Sequence, residues 1–143
     1  MARDIYFNKA RVNWYNEWHR QIQNDHWRMI DIDSYEYCNE CRNGIAIIET
    51  TYDVGKYNKV AYLTADIGNK LGIPAYIVYY NIEGVDQPTF KIAKINAILE
   101  EIDPISEGSL IELNEQEYIG YLNWLRQQHV CKAKHEVKQH KCR

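Results

Sequence analysis

Between Ile45 and Asn81 the chain reads strand, helix, strand, the order of a βαβ unit. Ile45 to Thr51 (IAIIETT) has the length of a strand, and its unbroken apolar centre, Ala46 to Ile48, predicts burial on both faces. From Lys56 to Leu71 the apolar residues return at helical spacing: Val60, Leu63 or Thr64, Ile67 and Leu71. Gly72 suits the C-cap of that helix, and Pro74 bars its continuation. Ala75 to Asn81 (AYIVYYN) is the next strand. A crossover of this length joins parallel strands, so the spacing predicts an α/β protein with a partly parallel sheet.

The flanking segments extend the pattern. Asn8 to Asn24 reads as an amphipathic helix, with Val12, Tyr15, Trp18 with His19, and Ile22 at helical spacing. Arg28 to Tyr37 reads as a strand that reverses through Cys38–Gly44 into Ile45, with Asn43 and Gly44 supplying the turn chemistry. Thr89 to Ile95 is a fourth strand and Leu110 to Leu113 a short fifth. Asn114, with Glu117 three residues on, has the form of a capping box opening a helix that runs to about Gln128.

Acidic residues interrupt the apolar runs at specific places. Alternation along the first strand puts Asp31 and Asp33 on one face. Glu49 closes the buried second strand. If those strands pair, Asp33 and Glu49 come close together. Two neighbouring carboxylates repel unless a cation, a proton or a cationic side chain fills the gap.

The succession of a helix carrying Glu17, the strand DIDSYEYC and the strand GIAIIETT, followed by helix and strand, resembles the core of the PD-(D/E)XK nuclease superfamily. Restriction enzymes and archaeal Holliday-junction resolvases share that fold. The resembling region covers about half the chain, and the two strands look most like small phage and bacterial members. The resemblance implies an α/β, restriction-endonuclease-like three-layer core, with a mixed central sheet of about four to five strands flanked by helices. It implies a nuclease domain over 1–125 and a separate basic tail over 126–143. Asp33 matches the motif aspartate, Glu49 the second acidic residue and Glu17 the helix glutamate, with Asp31 the alternative to Asp33. Mg²⁺ or Mn²⁺ would then be held by Asp33, Glu49 and the Thr50 carbonyl. The motif lysine is absent, because position 51 is Thr. Lys59 or Lys56, from the following helix, is the replacement.

Cys38-x-x-Cys41 stands in the tight turn, a spacing that suits two thiolates on one Zn²⁺. His129, Cys131, His135, His140 and Cys142 cluster in the tail. The expected set is Cys38, Cys41, Cys131 and one of His135 or Cys142. Such a zinc would pin the basic tail beside the carboxylates.

Composition sets the remaining bounds. The chain has 143 residues and a net charge of −3, enough for one domain with a core. From Arg126 onward six Lys/Arg face the single Glu136, so this tail is about +5 and the body about −8. A basic tail can meet a phosphate backbone. Trp14, Trp18, Trp27, Tyr35 and Tyr37 are candidates for base stacking. No run is long enough to span a bilayer, and the N-terminus has no apolar signal region. The expected setting is cytoplasmic, in a bacterial host cell if the chain is phage-encoded, without a membrane. The expected partner is nucleic acid, DNA ahead of RNA, and a homodimer is consistent with cutting both strands. The competing reading is an inactive nuclease-fold protein that binds nucleic acid or protein, for example as an inhibitor of a host system.

Overall fold

The computed structural model describes residues 9–21 and 32–131. The chain forms two compact units, Met1–Asp31 and Ile32–Arg143. In the first, α1 (Lys9–Gln21) carries Trp14 stacked on Trp18, ring centroids 5.8 Å apart. Both indoles are exposed.

Among the described residues, the second unit holds five strands and two helices. They are β1 (Ser34–Tyr37), β2 (Gly44–Tyr52), α2 (Tyr62–Leu71), β3 (Ala75–Asn81), β4 (Thr89–Lys94), β5 (Leu110–Asn114) and α3 (Glu115–Gln127). The sheet order is β1-β2-β3-β4-β5. Among the described strands β2 and β3 pair parallel, and the other three neighbouring pairs are antiparallel. The molecule is thus α/β with an open, mixed, five-stranded sheet.

Alternation along the strands sends core side chains to both faces. Ala46, Ile48, Tyr76, Val78 and Ile92 pack with Tyr121 and Leu125 of α3. Ile47 and Ala75 pack with Ile73 and with Ile67 of α2. The helices therefore cover opposite faces, an arrangement compatible with three layers. Strand β2 is buried from Ile45 to Ile48, as its continuous apolar run predicts.

Gly72 ends α2 in the left-handed conformation, φ 71°, as expected of a C-cap glycine. The capping box at Asn114 is complete: its side chain accepts from Glu117 N–H while the Glu117 carboxylate accepts from Asn114 N–H. Gly68 of α2 serves close packing. A Cβ there would lie 2.7 Å from Asn96 Nδ2 and 2.9 Å from the Ile73 carbonyl oxygen. Asn96 is itself committed, accepting from Ala75 N–H and donating to Ile73 O. Gly68→Ala is expected to lose about 1–3 kcal/mol by overpacking, outweighing the helix-propensity gain of about 1 kcal/mol. Urea unfolding of the two proteins measures the difference.

Two expectations are corrected. The helix expected from Lys56 begins at Tyr62. Asp53 accepts from Gly55 N–H at 2.9 Å and from the Tyr57 hydroxyl at 2.7 Å, and Lys59 N–H donates to the Tyr79 hydroxyl. These bonds hold the segment in a turn and compete with helix formation. The hairpin turn is also made differently. Cys38 N–H donates to Asn43 O and Arg42 N–H to Cys38 O, and the positive φ falls on Arg42, at 67°. Gly44 instead lies under the Tyr35 side chain: a Cβ there would lie 2.5 Å from the Tyr35 hydroxyl oxygen, so the exposed ring would have to shift.

Candidate carboxylate site and metal centre

The sheet register aligns the two acidic positions. Ser34 lies opposite Ile48, so Asp33, one residue earlier, falls beside Glu49, and cross-strand neighbours share a face. Asp33 Oδ2 accepts from Thr50 N–H at 2.9 Å, with Thr50 Oγ1 at 3.4 Å. Glu49 Oε2 pairs with Lys59 Nζ at 3.1 Å, and Glu49 Oε1 accepts from Thr64 Oγ1 at 3.4 Å. Lys59 reaches the carboxylate from the turn before α2 rather than from within the helix, which is why it can fold back over the strand end.

Next to this group lies a second one that spacing did not suggest. Lys91 donates to the Tyr57 hydroxyl at 2.6 Å, stands over that ring at 4.5 Å and approaches Asp53 at 3.6 Å. Donation from Tyr57 and from Gly55 N–H holds the Asp53 carboxyl below its usual range. The bond to Tyr57 and the charge of Asp53 raise the Lys91 ammonium. The ring of Tyr57 meets that of Tyr79 edge-on, and Tyr79 in turn accepts from Lys59 N–H. Asp53 follows the C-terminal end of β2, the side on which open α/β sheets usually place their ligands, whereas Glu49 lies within the parallel ladder, opposite Ile77 of β3.

The other expected site residues divide. Lys56 is exposed, and Glu17 is exposed on α1 in the first unit. Asp31, His135 and Cys142 lie outside the described residues, as do Trp27 and His140.

A cluster of Cys38, Cys41, His129 and Cys131 forms at the opposite end of β2, and it could hold a metal ion such as zinc. The four ligand atoms lie within 4.8 Å of one another. Cys38 and Cys41 come from the hairpin turn, and His129 and Cys131 from the residues just after α3. Arg126, in the last turn of α3, pairs with Glu36 of β1 at 2.9 Å and aligns the helix end with the hairpin. Gly44 and Glu49 are five residues apart on β2, about 17 Å at about 3.3 Å per residue. The cluster therefore ties the exit of α3 to the far end of the strand, not to the carboxylates as expected. Cys38 is disulfide-bonded here, whereas neither Cys41 nor Cys131 is in a disulfide. Disulfide and metal ligation are alternatives for the Cys38 sulfur.

His129 is the member of this cluster that spacing alone did not single out. The signal was its position one residue past Gln128, the expected helix end, which keeps it near Cys131.

The chain matches no family model, no curated protein and no solved structure. Among the described residues no helix is long and apolar enough to cross a membrane.

Proposed function

We propose that this protein is a metal-dependent nuclease of the PD-(D/E)XK type, hydrolysing phosphodiester bonds at Asp33 and Glu49. The observation that carries the reading is the 3.1 Å contact of Lys59 with Glu49, beside Asp33. An amine reaches Glu49 from the segment after β2 and would compensate for Thr51 at the motif lysine position. An antiparallel strand pair followed by a parallel crossover supports the same reading.

The donor set is of the hard oxygen type that Mg²⁺ or Mn²⁺ takes, with few protein ligands and the rest water or phosphate. Bound there, the ion would polarise a phosphate oxygen and acidify a coordinated water. Asp33 and Glu49 would hold it. Lys59, already placed by its backbone bond to Tyr79, would offset negative charge at the phosphate. Lys91, next to the carboxylates, would favour a polyanionic strand. DNA stands ahead of RNA as the substrate in this proposal, and a homodimer would let both strands be cut.

The test is a cleavage screen over single-stranded, duplex and branched DNA and over RNA, with Mg²⁺ or Mn²⁺. Wild-type protein is expected to cut at least one form. Asp33→Asn and Glu49→Gln are each expected to lose about a hundredfold or more in rate, with unchanged thermal unfolding. Equal cleavage by both variants would remove the site. No cleavage by the wild type, with binding retained, would favour the inactive binding protein. One observation speaks for that rival: Lys59 and Thr64 already engage both oxygens of Glu49.

A further inference from the structure

We infer that Cys38, Cys41, Cys131 and His129 form a closed, structural zinc site, with His129 rather than a later histidine or Cys142 as the fourth ligand. The inference does not depend on the nuclease reading, and its tests need no substrate.

The distances suit the ion. Tetrahedral Zn²⁺ with Zn–S bonds of about 2.3 Å sets neighbouring sulfurs about 3.8 Å apart. Cys38 Sγ and Cys131 Sγ are 3.8 Å apart, nearly twice a disulfide bond length of about 2 Å. On the same geometry a sulfur–nitrogen edge is about 3.6 Å. Cys41 Sγ and His129 Nε2 are 3.2 Å apart, so the ion would spread that edge by a few tenths of an ångström. Coordination through Nε2 leaves the proton on Nδ1.

The supports also suit it. Two cysteines three apart project from one tight turn, whose Arg42 N–H to Cys38 O bond at 2.7 Å and positive φ at Arg42 keep both sulfurs on the same side. The other two ligands follow α3, whose buried Tyr121 and Leu125 anchor it in the core. Cys38 and Cys131 are each only 2% exposed. Three sulfurs and one nitrogen complete a tetrahedral shell, leaving no position for a reacting water, which is the mark of a structural rather than a catalytic zinc.

The zinc would join residues 88 to 93 positions apart. It would also brace one wall of a cleft of about 640 Å³, to which Tyr35, Arg42, Gln128 and His129 contribute. It requires Cys38 as a thiolate, so the site belongs to the reduced chain.

The test uses the full chain, purified under reducing conditions without chelator. Elemental analysis is expected to find about one zinc per chain, and Co²⁺ exchange to give the visible bands of a tetrahedral, thiolate-rich site. His129→Ala and Cys131→Ser should each weaken zinc binding by more than about tenfold. His135→Ala and Cys142→Ser should leave it intact. A reduced wild-type chain without tightly held zinc, or an octahedral cobalt spectrum, would overturn the inference. So would wild-type affinity in His129→Ala. Should Cys131→Ser fail to fold, the wild-type metal content and cobalt spectrum still decide.

Discussion

Replacing Lys94 with methionine is expected to destabilise the fold by about 3–5 kcal/mol. Lys94 and Asp103 have no side-chain exposure, and Lys94 Nζ lies 2.8 Å from Asp103 Oδ2. Tyr76 donates to Oδ2 at 2.7 Å, Tyr121 to Oδ1 at 2.6 Å, and Ile105 N–H to Oδ1 at 2.9 Å. Asp103 is thus fully engaged, with one cation against its charge at close range. Methionine fits the volume but leaves a buried carboxylate without its counter-charge. The desolvation cost of that carboxylate then stands uncompensated. Lys94→Met combined with Asp103→Asn removes both charges and should recover much of the loss. Urea unfolding of the single and double variants checks this. The total stability of such a domain is about 5–15 kcal/mol, so the single variant should be visibly less folded. A loss below about 1 kcal/mol in Lys94→Met would mean the pair is not buried as described.

Alkaline pH is the second strong lever. Burial, and then the bond to Tyr121, pushes the Tyr76 hydroxyl far above its ordinary value. Burial and Asp103 do the same for Tyr121. Tyr118, half-buried against Phe90, is pushed up to about 12, chiefly by burial and then by Glu36. A raised tyrosine stays neutral in the folded chain after its unfolded counterpart has ionised. The stabilisation is therefore fully present below pH of about 10 and is lost as pH rises through the folded values. Each such tyrosine removes about 1.4 kcal/mol per pH unit above the unfolded value, so Tyr76 and Tyr121 together remove roughly 3 kcal/mol per unit. Stability is expected to fall steeply between about pH 10 and 12, with tyrosinate absorbance appearing as the chain unfolds. Gradual ionisation of these hydroxyls in a chain that stays folded would contradict the buried network.

Strand, helix and strand from β2 to β3 were readable because the information is local. Unbroken apolar residues at Ala46 to Ile48, the Gly72 cap and the Asn114 to Glu117 box act within a few residues of themselves. The start of α2 was not readable, because Asp53 and Tyr57 capture the segment through side chains, and Tyr79, twenty positions on, receives Lys59 N–H. Lys94 reads as an ordinary alternating residue of a strand. Nothing in the strand pattern says that it will be buried against Asp103, whose carboxylate Tyr76 and Tyr121 hold. Of the carboxylate site, Asp33, Glu49 and Lys59 were legible as residue types in a recurrent order. Lys91 and Tyr57 were not, because they arrive from a strand and a turn far apart in sequence.

What the amino-acid order determined by itself was the class of fold and the chemistry on offer: an α/β chain, a parallel crossover, paired carboxylates, and thiols at Cys-x-x-Cys spacing. What only the tertiary structure decided was which of those groups meet. It set Asp33 beside Glu49 through strand register and brought Lys59 over Glu49 through a turn. It gathered His129 and Cys131 onto the Cys38–Cys41 turn, about a strand's length from the carboxylates. Local preferences arise from neighbours in the chain, whereas convergence arises from how whole faces of helices and sheet are buried together.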